Sequence, residues 1–298
     1  MKATRSREHR DRSRCGAGRT RASALWGAVL SLVLAAPAVA QSPEQLNCGL
    51  AHTAAPRVVT AIIDGETVRL DDASEVRLVN ALAPRASDVG AAAGTWPPEA
   101  ATRAALIELV QGRSVVVATS EARRDRHGRI LGHLFFEGEH GWVWVQGRMV
   151  GNGLARVYST PENHACAASL LQRERAARAG GRGLWTNPAY AVHAPAAIDA
   201  LRHQHGRFVV IEGRVRTHSG TSSLATLDVV DVASANARSR RTDGVRVVWR
   251  RSAKLDVAAT RGETLEGSAI TVRGWLTLRD DRPEIEVIAP GQVEVAGR

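Results

Sequence analysis

Short runs of β-branched and aromatic residues, each closed by a turn signal, dominate the chain from Arg57 to Val145 and restrict it to a small, strongly bent sheet or barrel. The runs are Val58 to Ile63, Thr67 to Leu70, Val76 to Leu82, Ser114 to Thr119, Ile130 to Phe136 and Trp142 to Val145. A long continuous helix cannot form from them. Between the third and fourth runs, Pro97-Pro98-Glu99 opens a helical stretch to Val110, with Ala101, Ala105 and Leu109 at helical spacing and Gly112 as its stop. A second helix is expected from Met149 to Gly153 and a third from Cys166 to Ala179, ended by Gly180-Gly181. Helices beside a closed sheet predict an α+β arrangement.

Asn187 to Gly206 is rich in Ala, His and Pro and reads as a connector with a helical turn from Ala196 to His203. Five more strand-like runs follow: Phe208 to Thr217, Ser222 to Val232, Val245 to Trp249, Ala269 to Leu278 and Ile285 to Ile288. With bends marked by Gly213 and Gly274, they fit a second small all-β barrel of the oligonucleotide/oligosaccharide-binding (OB) kind; a small sandwich has the same strand count. The expected organisation is a lead-in over 41–56, a first domain over 57–187, a linker over 188–206 and a second domain over 207–298.

The formal charge of +10 points to nucleic acid or an anionic surface, but the first forty residues supply most of it. They hold eight Lys/Arg against two Asp/Glu, which leaves +4 for the rest. Their Arg-rich start, the apolar run Ala24 to Ala36 and Ala38-Val39-Ala40 predict a secretory signal peptide cut after Ala40. The apolar run is shorter than the roughly 20 residues a spanning helix needs, and no later run approaches that length, so the mature protein is expected to lack a membrane span and to be periplasmic or secreted. With Cys15 in the leader, Cys48 and Cys166 remain. An oxidising compartment favours a disulfide between them over two buried thiols, and closing so long a loop is worth about 4 to 5 kcal/mol on the chain-entropy model.

Five local patterns carry chemistry: Asp64-Gly65-Glu66-Thr67 after a strand, Val76-Arg77-Leu78 in the next, Asp125-Arg126-His127-Gly128-Arg129 before another, Gly153-Leu154-Ala155-Arg156-Val157, and a closing Gly183-Leu184-Trp185. In this order they resemble the staphylococcal nuclease (thermonuclease) family over about 130 of the 298 residues. The resemblance implies an OB barrel with helices that cleaves DNA and RNA with Ca²⁺. In that chemistry hard oxygen ligands hold the metal, two arginine forks bind phosphate and a carboxylate activates water. Carried over by position, Arg77 and Arg129 match the phosphate-binding arginines. Asp64 and Glu66 fall on the metal-binding turn, with Glu66 in place of the family's Asp. His127 and Tyr158 fall near the nucleotide, although a solvated turn is the commoner role for such a His and loop packing accounts equally well for Tyr158.

The departure lies at Leu82-Ala83-Pro84-Arg85, where the family pattern has a calcium-ligating Asp and, three residues on, the general base. Leu82 offers a metal nothing, and Arg85 cannot accept a proton at physiological pH. Loss of general-base help alone is worth about 10² to 10⁴ in rate. Asp88 and Glu99 are the acids nearest in sequence that a rebuilt loop would use instead. Three function classes therefore stand: a retired nuclease that binds nucleic acid or nucleotide phosphate through Arg77, Arg85 and Arg129 and needs no metal; an active calcium-dependent phosphodiesterase with a relocated acid; and an envelope protein that binds other proteins. Trp249 and Trp275 lie on second-domain strands that can present aromatics to single strands or simply fill a core. Arg246 to Arg251, with Lys254, is the best basic patch.

Overall fold

The computed structural model describes residues 48, 50–52, 55–120, 123–221, 224–231, 244–250 and 265–296. The leader, most of the lead-in, Arg251 and Lys254 lie outside them. In chain order the first half contains β1 (Ala51–His52), β2 (Arg57–Asp64), β3 (Thr67–Leu70), β4 (Glu75–Leu78), β5 (Ala81–Leu82), α1 (Pro97–Val110), β6 (Ser114–Thr119), β7 (Ile130–Gly138), β8 (Gly141–Trp144), α2 (Val145–Gly151), β9 (Arg156–Val157) and α3 (Ala167–Ala179). Strands β2, β3, β4, β7 and β6 run side by side and close, because β6 pairs with both β7 and β2; β4 and β7 are parallel and the other pairs antiparallel. This is a five-stranded OB barrel. Its core is built from Val59, Val68, Val76, Val115, Leu134 and Phe135, with Leu106 and Val110 of α1 packed against them.

After α4 (Ile198–Arg202), the second half repeats the topology with β10 (Phe208–Gly220), β11 (Leu224–Val230), β12 (Val245–Arg250), β13 (Ala269–Arg279) and β14 (Arg282–Glu286). The order is β10-β11-β12-β14-β13, with β10–β13 closing the ring and β12–β14 its parallel pair. A short β15 (Val293–Val295) adds to the edge of β13 and had no counterpart among the sequence runs. Leu227, Val247, Trp249, Leu276 and Ile285 fill this second core. Trp249 is thus a core residue, whereas Trp275 is 45% exposed.

Several local expectations change for identifiable reasons. The run Val76 to Leu82 is two strands, because Asn80 adopts a left-handed conformation (φ 60°) and its amide donates to the carbonyls of Tyr158 (3.0 Å) and Asn163 (2.7 Å). Asparagine tolerates that region at low cost. The second helix begins at Val145, straight out of β8, four residues before the expected Met149. On α1 the buried stripe is Thr102, Leu106 and Val110, one residue along from Ala101, Ala105 and Leu109. Glycine is required at position 65 because a Cβ would stand 2.9 Å from that of Ala83 and 3.0 Å from Thr102 Cγ2. Gly153 and Gly183, from two of the motifs, do need left-handed backbone (φ 68° and 53°), and they touch: Leu184 N–H donates to Gly153 O at 2.8 Å.

The two barrels meet along a polar seam. Glu174 of α3 accepts from the Val157 N–H of the first barrel and pairs with Arg273 of β13, which also pairs with Glu294. Arg175 reaches Glu294, and Arg178 reaches Glu212 of β10. The segment 188–206 is packed against this seam: Tyr190 is buried, Leu201 enters the second core, and His193 N–H donates to Val210 O at 2.9 Å. Cys48 and Cys166 form a disulfide that ties the chain ahead of β1 to the start of α3, with Cα atoms 5.3 Å apart. Among the described residues no helix is long and apolar enough to cross a membrane.

Candidate functional site

The site is assembled on one flank of the first barrel by the β2–β3 turn, β4, the loop after β5 and the turn before β7. Thr67 and Arg77 are cross-strand partners in the β3–β4 ladder, and Arg77 also stands beside Leu131 of β7. That register carries the Arg77 guanidinium over the β2–β3 turn. Its Nη2 lies 2.8 Å from Glu66 Oε1. Arg85, delivered by the loop that leaves β5, brings its Nη2 to the same oxygen. The Ala83 N–H donates to Glu66 Oε2 at 3.3 Å. Glu66 is 2% exposed, so its carboxylate is sealed between two guanidinium groups and a backbone donor. A buried carboxylate needs such partners.

Asp64 opens the same turn as Glu66 and lies close enough to Arg77 to favour its charged form. Its Oδ1 accepts the Glu66 N–H at 2.9 Å, which turns the chain and uses the oxygen locally. Asp125 shapes the other wall: its Oδ1 accepts the N–H groups of His127 (2.8 Å) and Arg129 (3.0 Å), and its Oδ2 receives Nε of Arg129 at 2.7 Å. Burial raises the Asp125 pKa, but the hydrogen bonds from Arg129 and from the two backbone donors outweigh it and leave the carboxyl below its usual range. Arg77 sits below the usual guanidinium range, first through burial and then through repulsion by Arg129; Asp64, Asp125 and Tyr158 act in the opposite direction. Arg77 still remains charged at any pH of interest. Arg77 and Arg129 are therefore neighbours in space, as the motif spacing implied.

A cavity of about 420 Å³ opens beside Arg77, lined also by Glu66, Arg124, Asp125, Tyr158 and Glu162. Tyr158 thus borders the site. His127 is on an exposed turn, its Nε2 accepting from Arg126 Nε at 3.1 Å, and it does not line the cavity. Arg124 and Asn80 were missed by sequence reasoning; Arg124 lay one residue before a recognised motif, while nothing marked Asn80 ahead of its left-handed turn. The proposed stand-in acids are occupied elsewhere. Asp88 Oδ2 receives Arg156 Nη2 (3.0 Å), the Tyr190 hydroxyl (3.2 Å) and the Arg85 N–H (3.2 Å), and Glu99 Oε2 receives the Gly94 N–H (3.3 Å). Neither lines the cavity.

Calcium needs several converging oxygen ligands. Among the described residues no group of three His, Cys, Asp or Glu side chains converges on a point. Glu66 is already held by Arg77 and Arg85, one oxygen of Asp64 accepts the Glu66 N–H, and Leu82, buried in β5, has no atom to offer a metal. These residues do not fit the metal.

The family model described as staphylococcal nuclease homologue matches residues 75–187. That span takes in Arg77, Arg85, Arg129 and Tyr158 and begins after the Asp64–Thr67 turn. No curated protein matches the chain significantly.

Proposed function

With a staphylococcal nuclease homologue domain over residues 75–187 as the premise, we propose that the protein binds nucleic acid or nucleotide phosphate through Arg77, Arg85 and Arg129, and that hydrolysis is weak or lost. The observation that carries this reading is the position of Arg85. At the position that matches the family's general base stands a guanidinium that neutralises the buried Glu66 and keeps 41% of its side chain open to solvent. Arg77, on the same Glu66 oxygen, and its neighbour Arg129 each keep about a quarter of the side chain exposed (23% in both), and of the three arginines Arg77 is the one that lines the cavity. Phosphate recognition by such forks requires no metal. A relocated base has little support, because Asp88 and Glu99 both accept hydrogen bonds that hold their own loops. Work outside the cytoplasm, in the periplasm or as a secreted protein, is part of the proposal; the Cys48–Cys166 disulfide and the leader composition support it.

The test is cleavage and binding of labelled single-stranded DNA and RNA by the purified mature protein, with Ca²⁺ or EDTA, beside Arg129→Ala. The proposal expects no calcium-dependent cutting, and binding that weakens steeply with salt and further in Arg129→Ala. Calcium-dependent cutting abolished by the substitution would overturn the loss of hydrolysis. Absence of any salt-sensitive binding would remove the phosphate site and leave the envelope-interaction reading.

A further inference from the structure

Among the described Trp, Tyr and Phe residues, Trp275 is the one whose ring is left largely open, at 45% exposure. A tryptophan that only filled the junction between the barrels would be covered by it. Trp275 lies on the outer face of β13, paired in register with Phe208 of β10, and its ring meets Phe208 edge-on at 5.8 Å between centroids. Phe208 in turn meets Tyr158 edge-on at 5.9 Å. The three rings step from the cavity bordered by Arg77 and Tyr158 to the surface of the second barrel, which puts Trp275 no more than about 12 Å from Tyr158.

Cations accompany the rings. Arg156, buried and paired with Asp88, lies 5.3 Å over the Phe208 ring and supports it from within, and Arg85, with its side chain 41% exposed, is close enough to Arg156 to repel it electrostatically. Past Trp275, the same outer face of β13 continues with Thr277 and the exposed Arg279. An open ring flanked by solvent-facing cations is what a single strand of nucleic acid recognises: phosphates follow the charge, and an unstacked base lies on the π face without regard to sequence. A duplex keeps its bases stacked inside and has none to offer.

We propose that Trp275 is a stacking platform by which the second barrel extends the phosphate site into a binding track for single-stranded nucleic acid. This inference rests on the phosphate-binding reading of Arg77, Arg85 and Arg129. A strand held by phosphate at that site lays a following base on Trp275, so affinity grows with strand length past the first nucleotide.

The experiment is fluorescence anisotropy on the full mature protein with a labelled ten-residue oligothymidylate, competition by thymidine 5′-monophosphate, and a DNA duplex of equal length. Trp275→Ala is expected to weaken the oligonucleotide by about 5- to 150-fold, the range for one base–aromatic stack, and to leave the monophosphate and the duplex unchanged. Trp275→Phe should retain most of the affinity. Trp275→Leu keeps an apolar contact with Phe208 and removes the π face, and decides the matter if the alanine form is unstable. Oligonucleotide binding that is insensitive to Trp275→Leu but still weakened by Arg129→Ala would overturn the platform while leaving the phosphate site standing. Wild-type protein that binds neither oligonucleotide nor monophosphate would overturn both.

Discussion

Acidification should unfold this protein partly through a single buried imidazole. His133 lies on β7, 1% exposed, with its Nδ1 accepting the indole N–H of Trp144 at 3.2 Å and the Trp144 ring 5.5 Å away. Burial pushes its pKa down to about 3, against 6.5 in the open chain. Above pH 6.5 both states are neutral and the folded form keeps its full stability. Between 6.5 and about 3 the unfolded chain binds a proton that the folded chain refuses, so stability falls by about 1.4 kcal/mol per pH unit. From pH 7 to pH 5 this one residue removes about 2 kcal/mol, which moves a urea midpoint by roughly 0.7 to 1 M at a slope of 2–3 kcal/mol/M. His133→Gln keeps an oxygen acceptor for the indole and does not titrate. Urea unfolding of both forms at pH 7, 6 and 5 isolates the effect, since carboxylate titrations are common to the two and cancel in the difference. The wild type should lose about 2 kcal/mol more than the variant over that range. Profiles that stay parallel within about 0.5 kcal/mol would refute the assignment of a neutral, proton-refusing imidazole.

Two further outcomes follow from charges the fold has buried. Glu66→Gln removes the anion that occupies both Arg77 and Arg85 and should tighten binding of inorganic phosphate or thymidine monophosphate on the order of tenfold, since two unit charges near a protein surface interact by a few kcal/mol before salt screening; calorimetric titration that shows weaker binding would contradict the masking role of Glu66. Arg156→Met removes the cation that pairs with Asp88 and the donor to the Phe208 carbonyl and should cost about 3–5 kcal/mol. That corresponds to a fall of roughly 6–20 °C in the melting temperature, and calorimetry showing less than 3 °C would mean that water replaces the guanidinium.

How far the sequence could be read depended on how local each signal was. The helix from Pro97 to Val110 was placed to the residue, because a Pro-Pro start and Gly112 punctuate it. β3 and β6 were equally plain, each a short β-branched run between turn residues. The order of strands in the first barrel followed from the resemblance, since periodicity says nothing of which strands pair. Where one element runs straight into the next, as β8 into α2, no breaker marks the junction and the boundary slipped. The site was half legible: motif spacing brought Arg77 and Arg129 together. The sequence does not say that Arg85 would settle on Glu66 after crossing β5, nor that Asp88 would be taken by Arg156 and by Tyr190. The Tyr190 phenol, pushed up to about 12 chiefly by burial, stays a donor at neutral pH. These are contacts between segments far apart in the chain, and only the closed fold defines them. Gly65 shows the same limit at one atom: its turn was foreseen, but its reason is the approach of Ala83 and Thr102.

Glu174 makes the two barrels hard to separate. Fully buried, it serves a backbone amide of the first barrel and a guanidinium of the second. A descendant that shed the second barrel would keep a bare carboxylate on the flank of α3, and one that exchanged it for a different module would need an arginine at the place of Arg273. The two barrels are therefore coupled in stability through this one carboxylate, and separating them carries the cost of an unpaired charge at position 174.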